Sequence, residues 1–200
     1  MASPCTPSEG EENLTQSKAR LRREKIQARD AVTPALRAEK SAVIVDRILE
    51  KEFFRKAEVV MIYRAVRGEV QLDLLPVKAP EKKYVYPLCV EKNEMRALLP
   101  GSADSWRAGP FRIPEPDPDR SEEISPDRID LVICPCTAFD AECSRLGMGG
   151  GYYDRFLPKC RKAAVISVAF EVQRAERVPC DLRDRRMDGV ITEEGEYGIF

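Results

Sequence analysis

The sequence predicts an α/β layered protein, a mostly parallel β-sheet flanked by helices. Short runs of apolar, largely β-branched residues recur at 59–63, 130–134 and 163–170, as in strands buried on both faces. Segments of helical character separate them, the pattern of parallel strands joined by crossovers. The chain has 200 residues, of which 43% are hydrophobic, enough to bury one sizeable core.

Each element has its own signal. Residues 1–13 lack an apolar stretch and carry Glu9, Glu11 and Glu12, so they read as a disordered lead-in and not a signal peptide. Residues 14–200 are expected to form one domain. Residues 14–31 predict a helix with Leu14, Leu21 and Ala28 one heptad apart on a thin apolar face. The rest of that helix is basic, with Lys18, Arg20, Arg22, Arg23, Lys25 and Arg29. A second helix opens with Thr33 as N-cap and Pro34 at the first helical position, and runs to about Phe54. Residues 59–63 form the first strand, followed by a turn at Arg67 and Gly68. Residues 69–75 suggest a short helix stopped near Pro76. Residues 84–90 and 95–99 are further strands. Six prolines between positions 100 and 128 predict a long irregular loop, a feature that is often functional in a compact domain. Residues 130–134 and 163–170 are core strands, and residues 189–192 close the sheet. Ligands of such folds collect at the carboxyl ends of strands. Glu69 and the segment after Cys134 would share that rim.

The composition excludes several functions. A formal charge of −1 gives no reason to expect nucleic acid or an anionic membrane as partner. No apolar run is long enough to cross a bilayer. Seven cysteines, an odd number without zinc or disulfide spacing, read as small buried hydrophobes in a reducing cytoplasm. There is no histidine, which removes Ser-His-Asp and Cys-His nucleophile systems, His-ligated zinc and His general bases. Phosphoryl transfer suits what remains, because it rests on positioning and charge neutralisation.

Gly147, Gly149, Gly150 and Gly151 place four of the eleven glycines within five positions. Glycine tolerates φ > 0 and close backbone approach, and successive N–H groups in that geometry favour anions. Tyr152 onward reads as a helix start with Asp154 in its first turns. The spelling is not a Walker A loop, because no Lys-Ser or Lys-Thr follows the glycines. A dinucleotide fingerprint would place a third glycine at position 152, which is Tyr, although Glu171 lies at about the distance of a ribose contact. On spelling alone a glycine-rich turn without ligand also stays open.

Phe139-Asp140 followed by Arg145-Leu146-Gly147-x-Gly149-x-Gly151-Tyr152-Tyr153-Asp154 resembles the signature of the 5-formyltetrahydrofolate cyclo-ligases, also called 5,10-methenyltetrahydrofolate synthetases. Lys18-x-x-x-Arg22, Glu69-Val70, Phe111-x-Ile113-x-Glu115-Pro116 and Asp184-x-x-x-Asp188-Gly-Val-Ile-Thr192 resemble further family segments in the same order. The resemblance implies a three-layer fold similar to sugar-phosphate isomerase and CoA-transferase domains. It also implies closure of 5-formyltetrahydrofolate to 5,10-methenyltetrahydrofolate with ATP and Mg²⁺. The formyl oxygen is phosphorylated, N10 attacks the activated carbon, and ADP and phosphate leave.

Carried onto this chain, the resemblance implies ATP binding by Lys18, Ala19, Arg20, Leu21 and Arg22. Arg145, Leu146, Gly147, Met148, Gly149, Gly150, Gly151, Tyr152 and Tyr153 complete that site. Arg145, Tyr152 and Tyr153 are the implied catalytic residues. Arg64, Glu69, Met148, Gly149, Gly150, Gly151 and Tyr152 are implied to bind the folate, with Glu69 accepting from the pterin's N–H donors. Asp154 and Asp184 are the implied Mg²⁺ ligands, and two carboxylates with phosphate and water suit that ion. Lys18 and Arg22, four residues apart, share a helix face. Three departures stand out: Met148 where relatives often carry Arg or an aromatic, Gly150 where some carry Lys, and Arg183 where many carry His. Trp106 and Phe111 could cover the folate or anchor their loop. The partners implied are small molecules, and a monomer is expected. A nucleotide- or RNA-binding paralogue using the basic helix is the alternative. Joint retention of Lys18, Arg22, Glu69, Asp154 and Asp184 favours the enzyme.

Overall fold

The computed structural model describes residues 9–90, 94–109, 114–181 and 184–198. Three helices come first: α1 (Glu9–Asp30), α2 (Pro34–Glu50) and α3 (Glu52–Lys56). β1 (Val59–Met61), α4 (Leu74–Lys78), β2 (Lys83–Val90), β3 (Glu94–Pro100), β4 (Trp106–Ala108), β5 (Pro114–Pro116) and β6 (Ser121–Ile124) follow. The last part holds β7 (Leu131–Pro135), β8 (Ala138–Phe139), β9 (Arg145–Leu146), α5 (Tyr152–Phe156), β10 (Ala164–Val168), β11 (Gly189–Ile191) and β12 (Glu196–Gly198).

Eight strands make the central sheet in the order β12-β11-β10-β7-β1-β2-β3-β6. The five from β11 to β2 run parallel, and β12, β3 and β6 pair antiparallel at the two ends. Strand residues alternate between two cores, as a period of two requires. Leu131 and Ile133 face a layer with Ile44, Val45 and Ile48 of α2, Phe54 of α3 and Leu75 of α4. Val132 and Cys134 face the opposite layer with Phe156, Leu157 and Cys160. The expected three-layer, mostly parallel α/β fold is what forms. β1 has β2 on one side and β7 on the other, so the chain's winding reverses there. Such a switch point opens a crevice at the carboxyl ends of the strands.

Several elements differ from expectation. α1 starts at Glu9, five residues before the expected helix start; residues 1–8 lie outside the described residues. Thr33 does cap α2, its Oγ1 accepting the Leu36 N–H at 3.3 Å, but extended Lys51 divides the predicted helix into α2 and α3. The helix expected over 69–75 is absent, and α4 begins at Leu74 with Pro76 inside it. Pro76 occupies the first turn, where its missing N–H has no intrahelical role. Strand β1 ends at Met61, two residues early. The proline-rich stretch is not simply a loop. It contains β4 and β5, paired with each other, and β6, which covers the free edge of β3. Prolines and charges are the residues that edge strands tolerate, so the strand signal was hidden. β12, three residues long, was also missed.

The β8–β9 hairpin carries the glycine loop to the crevice, and buried Asp140 holds it. One carboxylate oxygen accepts the Ser144 N–H and the other the Val178 N–H, each at 2.9 Å. Asp140→Ala would orphan both donors, at about 1–3 kcal/mol each when buried. The expected outcome is a clearly lower melting temperature without ligand, read by calorimetry.

Candidate active site

The crevice beside β1 and β7 is a cavity of about 730 Å³. Pro135, Cys136 and Thr137, at and just beyond the end of β7, form part of its wall. β2 and β3 add Pro87, Cys89 and Met95, and α1 adds Lys18 and Arg22. The loop and α5 supply residues 145–155, the C-terminal segment supplies Asp181 and Asp184, and Glu69 reaches in after β1. That last approach depends on the turn at Arg67 (φ 48°) and Gly68 (φ 78°).

The glycine loop adopts the backbone that its composition predicts at two positions. Gly149 has φ +100° and Gly151 φ +65°, values that residues with a Cβ rarely adopt. Arg22 Nε donates to the Gly147 carbonyl at 2.8 Å, and Arg155 donates to the Gly150 carbonyl. Two carbonyls are thereby held by guanidinium groups. α5 is only five residues long, so it directs little macrodipole at the loop.

The charges in the cavity are tightly matched. The Arg145 side chain is only 5% exposed. It donates to the Pro135 carbonyl at 3.2 Å and to Asp154 at 3.1 Å, and its guanidinium lies 5.4 Å from the Tyr153 ring centre. Burial works against its charge, but Cys134, Asp154, Cys136 and Tyr153 outweigh that and its pKa rises. Lys18 bridges Asp181, at 3.0 Å, and Asp184. Burial opposes its charge too, and the two carboxylates raise its pKa. Burial lowers the pKa of Arg22 despite Asp184 and Asp154. Tyr153 is held well above the ordinary phenol range, first by burial, so it is a donor at neutral pH. Burial pushes Cys134 and Cys136 up to about 12, which leaves both as inert thiols.

Glu69 is 8% exposed and accepts the Val66 N–H at 3.0 Å. Burial raises its pKa, opposed by that hydrogen bond, by Arg29 and by Arg67. Its carboxylate is one of four acidic groups that line the cavity.

The structure brings together Lys18, Arg22, Glu69, all of residues 145–153, Asp154 and Asp184. Ala19 and Arg20 are exposed and stand outside the lining. Leu21 instead packs against Ala138, Leu146 and Val178, seating α1 on the hairpin. Arg64 also stands outside, paired with Asp73 and stacked 4.6 Å from the centre of the Trp106 ring. Trp106 meets Tyr86 edge-on at 4.8 Å, which anchors β4 to β2. Phe111, Ile113 and Arg183 lie outside the described residues. Asp181, Arg155, Thr137, Cys89 and Met95 line the cavity unforeseen. For Asp181 a signal existed in its spacing, three residues before Asp184.

Asp154, Asp181 and Asp184 present hard oxygen donors to one cavity. Among the described residues no cluster of three or more acidic, His or Cys side chains could hold a metal unaided.

Fold and cleft together define an α/β enzyme that works on small molecules at the switch point of its sheet. The chain belongs to the 5-formyltetrahydrofolate cyclo-ligase family, whose model matches residues 14–193, and it is therefore a ligase of folate metabolism. It is similar to a 5-formyltetrahydrofolate cyclo-ligase of Mus musculus, 24% identical over 90% of this chain and 96% of the relative. A relative from Arabidopsis thaliana, described as mitochondrial, is 28% identical over 84% of this chain and 71% of its own. The solved 5,10-methenyltetrahydrofolate synthetase of Aquifex aeolicus superposes with a TM-score of 0.78 at 32% identity, covering 90% of this chain and 92% of that one. That of Mycoplasma pneumoniae shares the fold, with a TM-score of 0.72 at 22% identity over 88% and 98% of the two chains. No described helix is long and apolar enough to cross a membrane.

Asp154 and Asp184 differ in structural weight. Asp154 is the carboxylate partner of a nearly buried guanidinium, whereas Lys18 keeps Asp181 if Asp184 is neutralised. Removing one member of a buried pair leaves an uncompensated charge. Asp154→Asn should therefore melt below Asp184→Asn when both are unfolded thermally without ligand.

Proposed function

We propose that this chain uses ATP and Mg²⁺ to convert 5-formyltetrahydrofolate into 5,10-methenyltetrahydrofolate, releasing ADP and phosphate. One observation supports this above others: a single cavity joins a glycine cradle flanked by Lys18 and Arg22 to a buried carboxylate, Glu69. The cradle suits a polyphosphate, and Glu69 suits the ring N–H and amine donors of a pterin.

In this reading the formyl oxygen attacks the terminal phosphorus of ATP, and ADP leaves. N10 then attacks the formyl carbon and gives up its proton, and phosphate departs with the former formyl oxygen. The N–H groups of residues 147–151 receive the phosphates, with Lys18 and Arg22 beside them. Arg145, fixed by Pro135 and Asp154, holds a positive charge at the base of the loop, where charge develops on the transferred group. Tyr153 remains protonated and can donate to that group, and Tyr152 closes the cradle beside it. Glu69 orients the pterin so that the formyl group meets the cradle. Met148, Gly149, Gly150 and Gly151 lie between the two ligands, and Arg64 contributes from outside the lining through Trp106.

The cavity lining itself favours a divalent cation. Lys18, Arg22, Arg145 and Arg155 supply four positive charges, and Glu69, Asp154, Asp181 and Asp184 supply four negative ones, so the formal charges balance. A triphosphate would add several uncompensated negative charges. Asp154 and Asp184 would hold Mg²⁺, which supplies the missing positive charge when bound. The free thiols among the described residues accord with a reducing compartment, and a cytoplasmic location completes the reading.

Absorbance of the methenyl product gives the direct assay. Product should form only with both ATP and a divalent cation, and EDTA should abolish it. Equal turnover in EDTA would remove the metal role of Asp154 and Asp184. The loop glycines give a second test. Gly149→Ala and Gly151→Ala force a Cβ onto left-handed backbone, at about 1–2 kcal/mol each, and the one at position 151 also presses on Arg155. The loop lies outside both cores, so melting without ligand should change by only a few degrees. ATP-dependent stabilisation and turnover should both be lost. Normal ATP binding by the folded variants would make these glycines purely structural.

A further inference from the structure

The glycine loop treats its donors and its acceptors differently. Among the described residues, none of the N–H groups of residues 147–151 donates to a backbone acceptor, so the loop offers a row of open donors. Its carbonyls are occupied. Arg22 Nε donates to that of Gly147 at 2.8 Å, and the Arg155 guanidinium donates to that of Gly150. The backbone N–H of Arg155 donates to that of Gly151 at 3.3 Å. One residue therefore holds two successive loop carbonyls, with its side chain and with its backbone.

A peptide unit is planar and trans, so its C=O and N–H point to opposite sides of the chain. A donor fixed on the Gly150 carbonyl thus also fixes the direction of the Gly151 N–H, which faces away from the guanidinium. This linkage needs such a control. It joins two residues without Cβ atoms, and its plane can turn over at little steric cost, the difference that separates type I from type II turns. Turned over, it would aim a carbonyl oxygen where an anion has to lie. The local sequence suits the guanidinium's approach. A Cβ added at Gly151 would stand 2.8 Å from Arg155 Nη1 and 3.1 Å from Nη2, so a side chain there would displace it. Gly150, Gly151 and Arg155 all line the cavity, and Arg155 is exposed, which leaves it little part in the core.

We propose that Arg155 is a positioning residue for the phosphate end of the site. It selects the orientation of the Gly150–Gly151 peptide in which the Gly151 N–H is presented to a bound phosphate and the Gly150 oxygen is turned away. In this role it acts through the backbone and does not touch the phosphate. The inference rests on the reading that this loop receives the polyphosphate of ATP. It gives the two open glycines a fixed partner on the following helix, so that a linkage with little preference of its own is set before the ligand arrives.

Calorimetric titration with Mg-ATP, and separately with 5-formyltetrahydrofolate, tests this on the wild type, R155M and R155K, with amide NMR spectra alongside. In the wild type the Gly151 amide proton should move downfield when Mg-ATP binds. R155M should weaken Mg-ATP binding roughly tenfold, the scale of one lost charge-assisted hydrogen bond, and leave folate affinity within about twofold. At saturating Mg-ATP its Gly151 amide should shift less, or broaden through exchange between two peptide orientations. R155K, whose ammonium can donate to the same carbonyl, should recover most of both the affinity and the shift. A crystal structure of the wild type with a non-hydrolysable Mg-ATP analogue needs no variant, and so stands if R155M fails to fold. There Arg155 should still hold the Gly150 carbonyl, with the Gly151 N–H on a phosphate oxygen. A guanidinium moved from the carbonyl to the phosphate would overturn the proposal, as would weaker binding in R155M with an unchanged Gly151 shift, or equal losses for ATP and folate. If no loop amide of the wild type responds to Mg-ATP, the polyphosphate reading of the loop falls and takes this inference with it. If the amides respond and R155M changes neither affinity nor shift, the role of Arg155 alone falls.

Discussion

The guanidinium of Arg145 is the constraint on which the site depends. It joins the carbonyl of Pro135, the last residue of a central strand, to Asp154 on the short helix that follows the glycine loop. The loop between them has few apolar contacts of its own, and two of its glycines occupy backbone regions with little intrinsic preference for one conformation. Anchoring both ends to one nearly buried cation restricts it far more than sequence-local forces could. Tyr153, stacked beside that cation, and Asp140, tying the hairpin to Val178, extend the same anchoring into the core. Preorganisation of this kind is what charge-stabilising catalysis requires, because donors that need not reorient lose less on binding.

A second tie closes the molecule around the first. Lys18 reaches from α1 to Asp181 and Asp184, joining residues 163 and 166 positions apart in the chain. Leu21, on the adjacent part of α1, packs on Ala138, Leu146 and Val178. One helix therefore contributes an apolar contact to the hairpin and an ion pair to the C-terminal segment, with the cavity between them. Exposed ion pairs contribute little to stability, but these side chains are only 12–25% exposed, where solvent screening is weaker.

What could be read from the sequence follows from which forces are local. Thr33 and Pro34 begin α2 because capping needs only neighbouring atoms. Gly149 and Gly151 take positive φ, for a reason contained in each residue. The buried strands 59–63, 130–134 and 163–170 announced themselves through continuous apolar runs and differ only at their ends. β6, by contrast, has the sequence Ser-Glu-Glu-Ile, and only the free edge of β3 makes it a strand. Pro76 looked like a helix stop because its permitted place in a first turn depends on where the helix starts. At the site most motif residues line one cavity, but Ala19, Arg20, Leu21 and Arg64 do not join the lining; Asp73 and Trp106 hold Arg64 elsewhere. In the sequence Arg29 is one more charge on a basic helix. Its burial depends on what packs over α1, and no spacing within the helix could have shown that.

Arg29 and Arg145 also show how the site trades stability for charge. Arg145 leaves its Nε unpaired and Arg29 leaves all three nitrogens unpaired among the described residues. Burial works against the charge of Arg145 and of Glu69 alike. A core selected for stability alone would replace such groups with hydrophobic side chains of similar volume. Arg145 and Glu69 both line the one cavity, beside glycines held at positive φ, a distribution expected when local strain and desolvation serve binding. The stabilising work is done elsewhere, by two layers of apolar side chains against a sheet whose central strands are buried on both faces. The cavity's charges add ties on top of that framework, Arg145 to Asp154 and Lys18 to Asp181 and Asp184, with opposite signs closely matched.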